Sequence, residues 1–203
     1  MSIQFKDLQL NKPLLKAIAD KNYETPTPIQ VKTIPLVLDK KDVIASAQTG
    51  TGKTAAYALP ILQLLYDKQD APKKGKKIRA LIVCPTRELA LQISTSFNTY
   101  STYTNLRTTV VYGGTSIDQQ SDVLNKGVDI LIATPGRLLD LYKQEIVDLK
   151  NIEILVLDEA DMMLDMGFIE DVFKIVRICP DKKQILLFSA TMPNEVARIA
   201  RKY

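Results

Sequence analysis

Ten consecutive residues, Ala45-Ser46-Ala47-Gln48-Thr49-Gly50-Thr51-Gly52-Lys53-Thr54, have the types and spacing that a phosphate chain demands. Small residues let the N–H groups of a turn spanning Gln48, Thr49, Gly50, Thr51 and Gly52 curl around an anion. A helix starting at the end of that turn would aim its positive end at the same charge. Lys53 supplies a point charge for the outer phosphates and Thr54 a hydroxyl for Mg²⁺. Apolar Val43-Ile44-Ala45 precedes the turn and apolar Ala55 to Tyr66 follows it, which is the strand–loop–helix setting the motif requires. The full pattern has glycine where this chain has Ala47, so a flexible turn ending in Gly-Lys-Thr is the plain alternative. Asp158 and Glu159 close a short apolar run, Ile154 to Leu157. There one carboxylate can hold Mg²⁺ opposite Thr54, and its neighbour can orient and deprotonate a water. Two acidic residues in a surface turn are the alternative.

Further polar groups recur after apolar runs. Arg87 and Arg137 sit beside turn-forming residues, and Gly113-Gly114 allows close backbone approach. Together they could grip a sugar-phosphate backbone; arginines bonding loop carbonyls are the other possibility. With five Phe, eight Tyr and no Trp, stacking platforms for bases are not favoured, and a grip without sequence readout fits better. Ser189 and Thr191 could hydrogen-bond Asp161 and couple nucleotide state to another surface, or serve as turn residues. Gln30 carries an amide matching adenine's donor and acceptor edge, or is a polar surface residue. Asn125-Lys126-Gly127-Val128-Asp129 imitates a guanine signature, but its spacing is one too long; Asn125 to Gly127 reads as a helix-ending turn.

The elements that must position these groups are legible as alternating runs. Strands are expected at Val43–Ala45, Arg79–Cys84, Thr108–Tyr112, Asp129–Ala133, Ile154–Leu157 and Ile185–Phe188, each apolar and each ending in one polar cluster. Helices are expected from Lys12 to Asp20 with Asn11 as cap and Pro13 in the first turn, and from Pro28 with Thr27 as cap. Others run from Ala55 to Tyr66, bent at Pro60, along Leu89, Ile93 and Phe97, along Ile169, Val172, Phe173 and Val176, and from Pro193. Strand alternating with helix means an α/β fold with a mostly parallel sheet covered on both faces. Ligands of such sheets bind outside the carboxyl ends of the strands, which is where every polar cluster falls.

The chain has 203 residues, enough for one α/β domain, with 46% hydrophobic and 25% charged residues, an ordinary globular balance. No apolar run reaches the ~18 residues of a membrane span, and the N-terminus lacks a signal-peptide layout. Two cysteines and no histidine argue against a disulfide framework and a structural zinc site. The expectation is a cytoplasmic, reduced, non-membrane protein. A net charge of +4 permits a polyanion partner without announcing one. The run Lys73-Lys74-Gly75-Lys76-Lys77 reads as a solvated loop rather than a nucleic-acid patch.

Seven segments in order, Tyr23–Gln30, Ala47–Thr54, Pro85–Ala90, Gly113-Gly114, Thr134-Pro135-Gly136-Arg137, Asp158-Glu159-Ala160-Asp161 and Ser189-Ala190-Thr191, resemble the motifs of the DEAD-box RNA helicases. The family tolerates alanine at position 47. The resemblance covers nearly the whole chain and implies a RecA-like P-loop domain over residues 1–203, with an adenine-recognition segment at about 4–32. It implies ATP and Mg²⁺ as cofactors, with Phe5, Thr25 and Gln30 at the adenine end, Gln48 to Thr54 on the phosphates, and Thr54 and Asp158 on the metal. Lys53, Asp158 and Glu159 would be catalytic, Glu159 activating the hydrolytic water. Pro85, Thr86, Arg87, Gly113, Gly114, Thr134, Pro135, Gly136 and Arg137 would line an RNA-backbone site. Asp161, Ser189 and Thr191 would couple hydrolysis to strand separation. Asn22 stands where the family usually has glycine. The family's second RecA-like domain, with its arginine fingers, has no counterpart here, and such a finger is worth ~10³ or more in rate. The resemblance therefore implies an N-terminal domain, monomeric, with weak ATPase and no unwinding by itself. From the residues alone, a nucleotide-dependent interaction module and a small P-loop kinase remain alternatives.

Overall fold

The structure, a computed structural model, describes residues 3–46, 48, 50–67 and 77–203. Six strands form one sheet: β1 (Val43–Ser46), β2 (Ala80–Val83), β3 (Thr108–Val111), β4 (Ile130–Ala133), β5 (Ile154–Leu157) and β6 (Gln184–Ser189). Their order is β1-β6-β5-β2-β4-β3, and every pairing is parallel. A parallel sheet needs a crossover between strands, and helices supply it. They are α1 (Lys12–Ala19), α2 (Pro28–Leu38), α3 (Lys53–Asp67), α4 (Arg87–Tyr100), α5 (Ile117–Asn125), α6 (Pro135–Lys143), α7 (Ala160–Asp165), α8 (Ile169–Ile178) and α9 (Asn194–Lys202). A 3-10 turn, Phe5–Leu8, precedes them.

Side chains alternate across a strand, so each apolar strand feeds two cores. Ile154, Val156, Leu186 and Phe188 pack under α1 to α4 with Leu14, Ile34, Tyr57 and Phe97. Leu155, Leu157, Ile185 and Leu187 pack on the other face with Leu138, Val172, Val176, Val196 and Ile199. The central strands β2, β4 and β5 are buried along their whole length, whereas β1 and β3 at the sheet's edges are partly exposed.

The expected caps are present. The Asn11 side chain accepts from Leu14 N at 3.2 Å; Thr27 occupies the cap position of α2 before Pro28, but its hydroxyl makes no hydrogen bond among the described residues. Helix α3 continues through Pro60 as one element. Asn22 takes a left-handed φ of 57°, a conformation open to glycine and, among side chains, most readily to asparagine; this accounts for that departure from the family pattern. Asn125 ends α5, Lys126 follows as its cap and Gly127 has φ +83°, so this stretch is the expected turn. Helices α6 and α7, which the periodicity did not single out, begin directly at the Thr134 and Glu159 clusters. Residues 73–76 of the lysine run lie outside the described residues, as do Ala47 and Thr49 of the P-loop. No helix among the described residues is long and apolar enough to cross a membrane.

Candidate functional site: the carboxyl rim of the sheet

Because all strands run one way, their carboxyl ends share one rim, and the polar clusters converge there. A cleft of about 500 Å³ runs from Phe5, Thr25 and Gln30, past Gly50, Gly52, Lys53 and Thr54, to Asp158 and Glu159. The expected adenine and phosphate ends are therefore one continuous cavity. Tyr23, Gln92 and Tyr100 also line it, and none of these was picked out as a site residue. Tyr100 shares the apolar stripe of α4 with Ile93 and Phe97, so its spacing signals core packing.

Between β1 and α3 the chain turns through Gly50 (φ +86°) and Gly52 (φ +88°), values that L side chains rarely adopt. The Gln48 carbonyl accepts from the Thr51 hydroxyl at 2.8 Å. Gly52 is required for a second reason: a Cβ there would lie 2.5 Å from Gln30 Nε2 and 3.0 Å from Thr27 Oγ1. Gln30 is buried, 6% exposed. Its Oε1 accepts from Thr27 N at 2.9 Å, and its Nε2 donates to the Gly52 carbonyl at 3.2 Å. Thus Gln30 caps α2 and clasps the P-loop together, while each amide atom keeps a further hydrogen-bonding valence.

Lys53 Nζ stands 3.9 Å from Asp158 Oδ1 and 3.8 Å from Glu159 Oε1. Both distances exceed a hydrogen bond, so the ammonium sits between two carboxylates without being locked to either. Asp158 is 2% exposed. Its Oδ2 accepts from the Tyr57 hydroxyl at 2.9 Å. The Tyr57 ring is fixed against Phe188 and Phe97, with centroids at 5.1 and 6.2 Å. Burial raises the Asp158 carboxyl above the usual carboxylate range, against the opposing pull of Lys53 and Tyr57. Burial and the nearby Asp158 charge likewise push the Tyr57 phenol up. Asp158 Oδ1 is buried and has no hydrogen-bond partner. An orphaned carboxylate oxygen in the same cleft as the Thr54 hydroxyl offers the kind of oxygen donors a hydrated hard cation takes. Glu159 is left-handed at φ 53°, ψ 52° and serves as N-cap residue of α7. Such a conformation costs of order 1–3 kcal/mol and concentrates at functional sites.

Asp161, Ser189 and Thr191 meet within hydrogen-bonding distance. Asp161 Oδ2 accepts from Thr191 N at 2.8 Å and from the Thr191 hydroxyl at 2.9 Å, and Asp161 N donates to Ser189 Oγ at 3.1 Å. Burial works to raise the Asp161 carboxyl, but the donors of Thr191 and Ser189 hold it below the ordinary range.

The strand order β2-β4-β3 sets the Pro85–Arg87, Thr134–Arg137 and Gly113–Gly114 segments side by side. Pro85 is buried and the Thr86 hydroxyl caps α4, accepting from Leu89 N at 3.2 Å. Arg87 is exposed with its guanidinium 4.7 Å from the Tyr112 ring centroid. Gly113 and Gly114 are exposed, and a Cβ at either would meet nothing within 4 Å. Arg137 is directed into the protein: Nη1 donates to Gln120 Oε1 at 3.0 Å and Nη2 to the Thr115 carbonyl at 2.9 Å. The carbonyl-bonding alternative raised for the arginines thus describes Arg137 well. Gln120 was missed because no motif contains it and its partners lie on other elements.

Known proteins place this geometry in a family. The DEAD/DEAH box helicase family model matches residues 27–199. The DEAD-box ATP-dependent RNA helicase RhpA of Helicobacter pylori is 48% identical over 198 residues, 98% of this chain and 39% of that protein. The ATP-dependent RNA helicase CshA of Limosilactobacillus reuteri is 47% identical over 201 residues, 99% of this chain and 39% of that protein. The crystal structure of a DEAD box protein from the hyperthermophile Methanococcus jannaschii superposes with a TM-score of 0.91 at 42% identity, covering all of this chain and 54% of that one. The chain therefore spans about two fifths of these relatives and half of that structure. With a RecA-like sheet, a P-loop and the Asp158-Glu159-Ala160-Asp161 turn facing it, this chain belongs to the DEAD/DEAH box helicase family.

Proposed function

We propose that the chain is the ATP-binding domain of an ATP-dependent RNA helicase, which couples ATP binding and hydrolysis to RNA binding and local strand separation. Residues 1–203 form a single RecA-like domain whose adenine-recognition segment is at about 4–32, and a second RecA-like domain of the full-length protein completes the catalytic site. The observation that carries this reading is Lys53 set between Asp158 and Glu159 in the same cleft that Gln30 lines. Phe5, Thr25 and Gln30 receive the adenine, the spare valences of the Gln30 amide reading its edge. Gln48, Thr49, Gly50, Thr51 and Gly52 wrap the phosphates, and Lys53 neutralises their outer charge. Thr54 and Asp158 would hold Mg²⁺, which when bound would neutralise charge on the phosphates. Glu159 takes a proton from the attacking water.

Thr86, Arg87, Gly113, Gly114, Thr134, Gly136 and Arg137, on turns whose Pro85 and Pro135 are buried, form a surface for the RNA backbone, with little reading of bases. Asp161, Ser189 and Thr191 transmit nucleotide state from the end of β5 to the end of β6. The protein works in the cytoplasm as a monomer; two free buried cysteines suit a reducing compartment.

The test is ATP turnover of the full-length chain with and without RNA. RNA should stimulate turnover, Glu159→Gln should abolish it while nucleotide binding survives, and this domain alone should turn over slowly and separate no duplex. Absent stimulation together with unchanged turnover in Glu159→Gln would favour a non-catalytic nucleotide-gated module.

A further inference from the structure

The two exposed glycines of the rim are flanked by Tyr112 and Thr115, and these, with Gln120, belong to no motif of the sequence. On the amino side is Tyr112: its carbonyl accepts from Gln120 Nε2 at 3.1 Å and from the Thr115 hydroxyl at 3.3 Å, and Arg87 lies over its ring. On the carboxyl side is Thr115: its hydroxyl accepts from Gln120 Nε2 at 2.6 Å, and its carbonyl accepts from Arg137 Nη2. Arg137 Nη1 closes the figure on Gln120 Oε1. Three elements are joined in this way: the β3–α5 loop, α5 through Gln120, and α6 through Arg137. Both polar atoms of the Gln120 amide and both terminal nitrogens of Arg137 make hydrogen bonds inside the protein.

Gly114 needs glycine for its φ of +81°, but Gly113 has neither a positive φ nor a neighbour that a Cβ would touch. Bare backbone in open space is what a ligand approaching the main chain uses. It is also the most flexible kind of loop, and ordering it on binding costs affinity. We infer that Gln120 and Arg137 form a brace that fixes the Gly113–Gly114 loop in its binding shape and ties it to the start of α6, so that both meet a single-stranded RNA backbone as one surface. Arg137 is then a positioning residue that acts through Thr115 and Gln120, not a phosphate ligand. This inference rests on the RNA reading of that surface.

The test uses the full-length chain, a non-hydrolysable ATP analogue with Mg²⁺, and a short fluorescent oligouridylate, titrated at several salt concentrations. Lysine at position 137 keeps a charge but cannot span both acceptors. Arg137→Lys and Gln120→Met should each weaken RNA binding about tenfold, and the double variant should be no weaker than either. The dependence of log Kd on log salt should keep the parent's slope, because no phosphate contact is lost. In RNA-stimulated turnover, KM for RNA should rise while kcat at saturating RNA holds. Should Gln120→Met fail to fold, Gln120→Glu, which keeps the acceptor for Arg137 and loses the amide donor, should show the same KM rise. The brace is overturned if Gln120→Met and Gln120→Glu bind RNA like the parent. It is equally overturned if Arg137→Lys retains parent affinity while Arg137→Met lowers the salt slope by about one, the mark of a lost phosphate contact. A parent chain that binds no RNA removes the RNA reading itself, and the brace's purpose with it.

Discussion

Replacing Gly52 by alanine should damage the domain far more than the same change at Gly50, two residues earlier in the same turn. Both have nearly equal φ, +88° and +86°, so the backbone penalty for an L side chain is shared, at about 1–2 kcal/mol. Space separates them. A Cβ on Gly50 meets nothing within 4 Å, whereas one on Gly52 falls 2.5 Å from Gln30 Nε2 and 3.0 Å from Thr27 Oγ1. Gln30 must swing away. That forfeits its bond to the Gly52 carbonyl and its acceptance from Thr27 N, each worth about 1 kcal/mol. Gly52→Ala should therefore cost ~2 kcal/mol more than Gly50→Ala, a further drop of about 4–8 °C in Tm for a domain this size. Urea unfolding of the parent, both variants and Gln30→Ala measures it. In the Gln30→Ala background the excess at Gly52 should shrink, since the displaced side chain is gone. Equal stabilities for Gly50→Ala and Gly52→Ala within ~0.5 kcal/mol would refute the clasp between Gln30 and the P-loop.

Gln30→Ala itself should narrow the preference for ADP over GDP in competition binding, since the amide is the group placed to read the base. Asp158→Asn should abolish ATP turnover yet stabilise the metal-free domain at neutral pH by about 2–4 °C in Tm, the shift that ~1 kcal/mol produces. The sign follows from burial: the folded carboxyl is pushed above the ordinary carboxylate range, so ionising it costs stability as pH rises through the folded pKa. The advantage of asparagine should accordingly vanish as pH is lowered towards the ordinary carboxylate range, and melting curves across pH check this. Thr191→Val removes one of the two donors to Asp161 Oδ2 and leaves the backbone N–H. It should cost ~1 kcal/mol in the folded domain. In the full-length chain it should lower duplex separation more than RNA-stimulated ATP turnover, measured side by side.

The strands were legible because each is a short, mostly apolar run closed by a polar cluster, and in β2, β4 and β5 burial on both faces leaves no alternation to confuse the pattern. Asn11 and Thr27 announced α1 and α2 through their amide and hydroxyl side chains, with a proline in the first turn of each helix, Pro13 and Pro28. Helices α6 and α7 were harder, since Pro135-Gly136 and Asp158-Glu159 look like turn residues, and only the structure shows a helix beginning within them. Strand order is a matter of long-range pairing; nothing local says that β1 lies at an edge beside β6. The same holds for the contacts that give site residues their geometry. Tyr57 reaches Asp158 across 101 positions, and Gln30 reaches Gly52 across 22. Motif spacing named Asp158 and Gln30 but could not supply Tyr57 as the former's partner or Gly52 as the latter's. Arg137 shows the converse: its residue type suggested a phosphate contact, while its bonds to Gln120 and Thr115 turn it inward.

A crystal structure of this domain with an ATP analogue and magnesium tests the central claim most directly. The account predicts phosphate density inside the 48–54 turn within reach of Lys53 Nζ, and an ion whose coordinated water fills the missing bond to Asp158 Oδ1. A nucleotide bound away from Lys53, or an ion in place with Asp158 Oδ1 still lacking any polar partner, would contradict it.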